Sequence, residues 1–388
     1  FDSHDYSGEG RIYQRVRTRL RMGMRSAPSL EVDAMKNQIV VGSLDTPECN
    51  VRSQVIPHLE STVIPNKQFS VTEISELATG LSSLASGDLD LIALPAFETI
   101  GMEGEFSSLG FQIIGALTPK RPSLVLVSPN RLMYQPKSGI IVSDSELVRR
   151  QLLRARPDLR PFTPEEANEL CTRRKPPSDK IERARWFAEL LEEGRIDGFV
   201  ISRAEYDNSG QTERRHTLLV SPTKRGAPHF LPKPYSDLIV FISRAGLPNS
   251  ISESITEPEG NTILWVQSRI LADLNESFHD TTGIHVRHCQ VGTLLRQAEE
   301  NRDITLEQAC HDSEGQIIEE QVRVEVRVET LSADGRRTLS LDRLVVRGEY
   351  QYAVIGFLLD WKTLIEESTR EVPKDHPSDS SAPPFLSG

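Results

Sequence analysis

Short apolar strands alternate with helical segments over much of this chain, and that alternation restricts its fold to the α/β classes. The apolar run 39–42 precedes a helical pattern over about 49–60. A second helical pattern, over 74–84, precedes the apolar strand 89–94, and Gly87 between them is a helix stop. Strand, helix and strand in succession build parallel sheets, so the sequence predicts an α/β lobe here.

The same pattern continues along the chain. Strands are predicted at 113–117 and 124–127, on either side of Pro119 and Pro122, which suit a crossover between domains. A second α/β block follows, with predicted strands at 140–142 and 198–202 and predicted helices at 146–156 and 180–193. The fully apolar strand 238–242 is a candidate to return to the first sheet.

After Pro258 the pattern changes. A predicted helix at 264–278 is followed by strands with alternating polarity at 322–328 and 339–346, joined through an Asp-Gly turn, and by a last helix at 351–367. Alternation of period two places one face of a strand in the core and the other in water. These residues are predicted to form a small α+β domain.

Length and charge narrow the class of protein. A chain of 388 residues suits two or three domains. A net charge of −11 argues against nucleic-acid binding, and no stretch approaches the roughly 20 apolar residues of a membrane span, so no membrane partner is expected.

The four cysteines form no CxxC pair, which favours a reducing cytoplasm. Residues 1–37 are predicted to be a flexible extension and 371–388 a disordered tail.

Four segments carry a family resemblance. They are the strand 39–43 with Arg52-Ser53-Gln54 behind it, the run from Gly87 to Glu98, the turn and helix from Gly139 to Gln151, and the loop Cys289-Gln290-Val291. In order and separation they resemble the hydroxymethylbilane synthases (porphobilinogen deaminases), over most of residues 38–367. Arg149 and Arg150 match the paired arginines of that family, whereas Glu98 stands at its catalytic aspartate and Phe97 at its lysine.

Pattern and resemblance agree on the fold class. They imply an α/β protein with two periplasmic-binding-protein-like α/β lobes, a hinged cleft between them, and a small α+β C-terminal domain. Domain 1 is predicted at 38–118 and 232–263, domain 2 at 119–231, and domain 3, with the cofactor-anchoring loop, at 264–370.

The resemblance also implies an activity. A monomeric, cytoplasmic transferase would couple four porphobilinogen molecules head to tail with loss of ammonia, in tetrapyrrole (haem) biosynthesis; in a photosynthetic eukaryote the plastid is the alternative location. Its dipyrromethane cofactor would be attached covalently through Cys289, with His285, Arg287 and His288 as nearby positive charge for the thiolate. Glu98 would be the catalytic carboxylate.

The carboxylate groups of such a substrate would need arginines, whose guanidinium forks pair with them. The resemblance and the helix start imply a cofactor-binding set of Ser143, Ser145, Arg149 and Arg150. The predicted substrate-binding arginines are Arg52, Arg185 and Arg244, with Arg183 as a further candidate.

Two other classes of function stay open. One is a binding protein that kept the cleft without turnover and takes a pyrrole or another small anion. The other is a metal protein, because five donors typical of zinc sites lie in two clusters: His285, His288, Cys289, Cys310 and His311. Nucleotide-binding and ordinary hydrolase functions have no motif in support, since the chain lacks a Gly-rich phosphate loop and a Gly-x-Ser-x-Gly elbow.

Overall fold

The computed structural model describes residues 38–120, 123–171, 175–222, 226–312 and 314–369. The predicted N-terminal extension and C-terminal tail lie outside these residues. In the described part of the chain, no helix combines the length and the apolar character needed to cross a bilayer.

The chain divides into two compact units. Unit 1 comprises 38–118 with Asp237–Asn261, and unit 2 comprises Pro119–Ser236 with the residues from Thr262 onward. The chain therefore passes between the units three times. The division of these residues into three domains stays a prediction.

A five-stranded mixed sheet forms the centre of unit 1. Its strands are β1 (Gln38–Ser43), β2 (Gln68–Glu73), β3 (Leu91–Pro95), β4 (Phe111–Leu117) and β10 (Ile239–Arg244). Their order is β2-β1-β3-β10-β4, with β1 parallel to β2 and β3, and β10 antiparallel to β3 and β4. The late apolar strand thus returns to the first sheet, where it pairs with β3 and β4 on its two edges, and all its residues except the last are buried.

Helices cover this sheet. They are α1 (Val51–Ser61), α2 (Leu77–Ser86), α3 (Glu103–Ser108) and α8 (Asn249–Ile255), and a 3₁₀ turn follows β3 at Ala96–Thr99. Every residue of β3 is buried, and α2 ends at Gly87 in the left-handed conformation, as its sequence predicts. Burial of each such aliphatic side chain contributes about 1.5–3 kcal/mol, so the buried centre of the sheet stabilises unit 1.

Gly115 permits a close approach in β4. Its φ of 147° lies in a region that L side chains rarely adopt, and a Cβ there would lie 2.4 Å from Oδ1 of Asn261. That same oxygen accepts a hydrogen bond from the amide of Ala116 at 2.7 Å. The glycine therefore allows the chain after β10 to bond to β4.

Unit 2 contains a second five-stranded sheet. Its strands are β5 (Leu124–Val127), β6 (Ile140–Val142), β7 (Arg160–Phe162), β8 (Gly198–Ser202) and β9 (Arg215–Thr217), in the order β7-β6-β8-β5-β9. Strand β6 is parallel to β7 and β8, and β5 is antiparallel to β8 and β9. The two five-stranded sheets thus share one arrangement, in which an antiparallel strand sits one place from an edge. The helices around this sheet are α4 (Glu146–Ala155), α5 (Pro164–Cys171), α6 (Lys180–Glu192) and α7 (Arg203–Ser209).

The C-terminal part of unit 2 is a three-stranded antiparallel sheet with helices. Its elements are α9 (Pro258–Asp273), which belongs to this unit from Thr262 onward, β11 (Thr282–Gln290), α10 (Val291–Asn301), α11 (Ile304–Ala309), β12 (Val322–Leu331), β13 (Thr338–Val346) and α12 (Tyr350–Thr369). The alternation in β12 buries Val324, Val326 and Val328, as predicted. Helices α9 and α12 meet through an edge-on contact of Trp265 with Tyr350.

Candidate functional site

The turn between β6 and α4 in unit 2 brings together three of the predicted residues. Ser143 directly follows β6 and is buried, and its Oγ accepts a hydrogen bond from the amide of Ser145 at 3.3 Å. Ser145 is the N-cap of α4, and its Oγ accepts from the amide of Val148 at 3.4 Å. Arg149 stands one turn into that helix. We call residues 143–149 the β6–α4 turn.

Two guanidinium groups flank this turn. Arg149 donates from Nη1 to the carbonyl oxygen of Ser143 at 2.6 Å and from Nη2 to Glu146. Arg183, from the first turn of α6, donates from Nη1 to Oδ2 of Asp144 at 2.6 Å. Its Nε and Nη2 donate to the carbonyl oxygens of Pro177 and Ser178 at 2.8 and 2.9 Å. Both arginine side chains are largely covered. The structure thus places Arg183, the further candidate of the sequence, against Asp144, in the same turn that Arg149 contacts.

The two acids of the turn differ in their electrostatics. Burial raises the pKa of Asp144, and the charge of Arg183 and its hydrogen bond only partly offset this. Burial would also raise the pKa of Glu146, but hydrogen bonds and charge from Arg150 and Arg149 outweigh it and lower that pKa. The charged form is therefore less favourable for Asp144 than for Glu146.

A backbone donor is also present at the start of α4. Within the residues that the structure describes, the amide of Glu146 donates to no carbonyl or side chain. First-turn amides of a helix commonly lack such partners, and the helix dipole makes this end attractive to anions.

The N-termini of the two neighbouring helices at this edge of the sheet, α5 and α7, are capped by their own side chains. At α5, Glu166 Oε2 accepts from the amide of Thr163 while Thr163 Oγ1 accepts from the amide of Glu166. At α7, Ser202 and Glu205 form the same reciprocal pair. The β6–α4 turn differs in presenting arginines.

The other predicted residues of unit 2 make structural contacts. Arg150 donates to Oε1 of Glu146 at 2.8 Å and to the carbonyl oxygen of Leu331 at 2.6 Å, which ties α4 to the end of β12. Arg185 donates to the carbonyl oxygen of Ser209 at 3.2 Å. Neither guanidinium donates to the β6–α4 turn backbone as Arg149 does, and their predicted ligand contacts stay predictions.

The predicted residues of unit 1 lie on separate elements. Arg52 on α1 forms an exposed ion pair with Glu73 at 3.1 Å. Arg244 lies 3.6 Å from Asp90 and donates to two carbonyl oxygens at the end of α2 and the start of β3. Glu98 lies in the 3₁₀ turn after β3 and is partly exposed. Contacts of this kind stabilise the unit, and the functional roles of these residues stay predictions.

Cys289 does not occupy the exposed loop that a cofactor anchor needs. It lies in β11 with 8% of its surface exposed, in an apolar cluster with Val291, Leu294 and Cys310. Its position in the strand, opposite Arg323 of β12, directs its side chain under α10 and α11. The residues present do not fit a large covalently attached pyrrole cofactor.

The groups expected to activate this thiol are engaged elsewhere. Burial lowers the pKa of His285 to about 4, so this ring is neutral near neutral pH. Arg287 donates to Oε2 of Glu325 at 2.5 Å, and His288 Nε2 lies 3.1 Å from Oγ1 of Thr262.

The metal interpretation also lacks a geometric basis. His285 pairs across the sheet with Arg327 and His288 with Val324, so the two rings project from opposite faces of β11. Among the residues of the described ranges, no group of three His, Cys, Asp or Glu side chains is placed to hold a metal ion.

No family model matches the chain, and no curated protein does. The solved structures similar to it include a periplasmic substrate-binding protein of an ABC transporter from Coxiella burnetii, at 13% identity over 60% of this chain and 95% of that one, with a TM-score of 0.30. They include the ligand-binding component of an ABC-type import system from Staphylococcus aureus, solved with zinc bound, at 12% identity over 61% of this chain and 73% of that one, with a TM-score of 0.30. The periplasmic aliphatic sulphonate binding protein of Escherichia coli is similar at 15% identity over 61% of this chain and 71% of that one, with a TM-score of 0.29.

The fold is periplasmic-binding-protein-like. The predicted fold class is confirmed by the two mixed sheets of equal strand arrangement together with the smaller three-stranded sheet. At TM-scores this low, the similar structures carry no argument about a ligand.

Several functional predictions need correction. No family model and no curated protein supports the hydroxymethylbilane synthases, and Cys289, the cofactor anchor that the resemblance implies, lies in a buried cluster. The predicted family is therefore wrong, and with it the transferase activity, the place in tetrapyrrole biosynthesis and porphobilinogen as substrate. The dipyrromethane cofactor is wrong because Cys289 is buried in a core cluster. The cytoplasmic or plastid location depended on the same resemblance and is not retained.

The structure shows what the sequence missed. The acids Asp144 and Glu146, which hold the two guanidinium groups, were not among the predicted site residues. A usable signal was present, because both acids flank the predicted cap Ser145 and Arg183 follows the N-cap Asp179 by one helical turn.

Proposed function

We propose that this chain is a small-molecule-binding protein that takes a small oxyanion in the β6–α4 turn of unit 2. The observation that carries the proposal is the convergence of Arg149 and Arg183 on residues 143–144, beside the amide of Glu146 at the start of α4. The turn lies at the carboxyl end of a parallel strand, where open α/β sheets bind their ligands.

Each part of the turn suits an oxyanion. A guanidinium group attracts a carboxylate, phosphate or sulfate and donates to it, here through the nitrogens that now bond to Asp144 and Glu146. The amide of Glu146 adds a donor aligned with the helix dipole. An incoming anion would replace Asp144 as the partner of Arg183 and Glu146 as the partner of Arg149. Because burial already disfavours the charged form of Asp144, exchange at Arg183 is the easier of the two.

The same contacts favour binding over catalysis. The acids of the turn, Asp144 and Glu146, are each paired with an arginine, so neither carboxylate is placed as a free general base.

The test is calorimetric titration with sulfate, phosphate and succinate, alongside choline as a cationic control. Saturable binding of at least one anion is expected. Arg149→Gln and Arg183→Gln should each weaken it about tenfold to a hundredfold, because a charge-assisted hydrogen bond contributes about 1.5–3 kcal/mol.

The matched control is Arg195→Gln in the same unit. Arg195 is exposed and lies 3.8 Å from Glu193, well outside the turn in sequence, so its loss should leave anion affinity unchanged. Absence of saturable anion binding, or equal affinities for all the variants, would refute the proposed function.

A further inference from the structure

Helix α12 carries a second apolar stripe on the side away from its core contacts. The packed side is formed by Val354, Phe357, Leu358 and Trp361, which are all buried. On the other side Tyr352 is 79% exposed, Ile355 53% and Leu359 64%. Their spacing of three and four residues places them on one face of the helix. We call these three residues the α12 stripe.

A glycine lies within this exposed face. Gly356 is in the interior of α12, where glycine is less favourable than alanine. Its φ is outside the left-handed region, and a Cβ built on it would meet no atom of the described residues within 4 Å. The packing of the single chain therefore gives no reason for a glycine here, whereas close approach of another backbone would.

The α12 stripe is self-complementary about its midpoint. Tyr352 and Leu359 are equally distant in sequence from the point between Ile355 and Gly356. When two such helices run antiparallel about that point, Tyr352 of one stands at the level of Leu359 of the other. Contacts at a twofold axis always come in such reciprocal pairs.

Exposed charges follow the same symmetry. Glu349 and Lys362 are also equally distant from the midpoint, and both are exposed. Antiparallel pairing therefore brings opposite charges to the same level at each end, whereas parallel pairing would bring like charges together. Charge complementarity of this kind selects the partner and its orientation.

We propose that the α12 stripe docks on the α12 stripe of a second copy of this chain, in antiparallel orientation, with Gly356 at the crossing point. This replaces the monomer that the family resemblance implied, and it does not depend on the proposed anion site. Three exposed side chains bury roughly 300–400 Å² per protomer, below the roughly 800 Å² of a standard interface, so the dimer is weak and forms at micromolar concentrations or above.

The test is sedimentation velocity of the full chain from about 5 to about 200 µM, a range suited to a weak interface. The wild type should shift from monomer to dimer. Ile355→Asp should abolish the shift. Gly356→Ala should weaken dimerisation at least severalfold while raising the thermal midpoint of the diluted protein, since its Cβ fits the monomer and favours the helix.

Orientation is tested by cysteine cross-linking. Under mild oxidation, a mixture of the Tyr352→Cys and Leu359→Cys variants should yield a disulfide-linked dimer, whereas Tyr352→Cys alone should not. The reverse result would indicate parallel packing and refute the proposed geometry.

Val63→Asp is the control, because Val63 is an apolar residue outside α12 that is more exposed than Ile355, at 88% against 53%, and this variant should dimerise as the wild type does. A chain that stays monomeric throughout the range would overturn the proposal, as would a dimer unaffected by Ile355→Asp. Either result is independent of whether the protein binds anions.

Discussion

Arg154 donates from Nη1 to Oε2 of Glu329 at 2.6 Å, which ties the helix of the proposed anion site to the central strand of the three-stranded sheet. Glu329 is 3% exposed, and its other oxygen lies 2.6 Å from Nε2 of His229. Arg154 also donates to the carbonyl oxygen of His229. These contacts hold α4 against β12. The position of the β6–α4 turn therefore depends on a strand that contacts Arg154 from 175 residues away in sequence.

Glu329→Gln should lower the free energy of unfolding by about 3 kcal/mol, because it removes one partner of a buried ion pair and leaves the charge of Arg154 without its counterion. Urea denaturation near neutral pH measures this. The control is Arg343→Gln, which breaks an exposed pair with Asp360 and should cost less than about 1 kcal/mol. Equal effects of the two substitutions would show that the Glu329 contacts do not stabilise the unit.

The contribution of Glu329 should disappear in acid. Burial alone would raise its pKa, but the hydrogen bond from His229 and the charge of Arg154 outweigh it and hold the pKa below its ordinary value of 4.5. A lowered folded-state pKa stabilises the protein above the ordinary value, and this stabilisation is lost as pH falls through the folded-state pKa. The stability difference between wild type and Glu329→Gln should therefore be constant above 4.5 and shrink below it. A difference that persists at the lowest pH would contradict this assignment.

Asp144→Asn should strengthen sulfate binding near neutral pH about tenfold, because it removes the negative charge that competes for Arg183. In the wild type, sulfate affinity should rise as pH falls, since the pKa of Asp144 is raised and protonation of this group releases Arg183. Sulfate itself keeps its charge as the pH falls from neutral towards the pKa of Asp144, so the change in affinity reports on the protein. Calorimetry of both proteins across the range should show this rise in the wild type and a much smaller one in Asp144→Asn; parallel pH profiles would exclude Asp144 as the competing group.

Cys289 should behave as a core residue. The intact mass should equal that of the unmodified chain, and Cys289→Ala should cost about 1–2 kcal/mol through lost packing with Val291 and Leu294. A thiol-labelling reagent should modify Cys289 in urea and only slowly in the native protein. Rapid native labelling would place this thiol outside the cluster.

Gly115→Ala should destabilise the protein by about 3 kcal/mol, because the new Cβ meets Asn261 and the backbone angle is unfavourable for alanine. Gly104→Ala is the matched control: this glycine lies in α3 with open space around a Cβ, so the substitution should be neutral or slightly stabilising. Thermal denaturation compares the two. If Gly115→Ala left the stability unchanged, Asn261 would have to move away from the new Cβ at little cost in free energy.

The local part of the β6–α4 turn could be predicted from the sequence. Ser143, Ser145 and Arg149 are close together along the chain, so a helix cap after a strand is enough to predict that they meet. Arg183 joins them from a different helix, through a contact with Asp144 that spans 39 residues of sequence. Local propensity carries no information about such a pairing.

Local pattern determined the elements of this protein, because apolar runs, alternation and helix caps act between residues that are near in sequence. Strands β1, β3, β5, β8 and β12 and the stop at Gly87 are all predictable in that way. Only the tertiary structure decided which side chains are buried and which charges are paired. Cys289 and Arg149 both stand in motif-like segments, yet the packing of α10 and α11 buries the cysteine, while a sheet edge leaves the arginine at a helix start. Burial and charge pairing arise from contacts distant in sequence, and these set whether a chemically capable residue can reach a ligand.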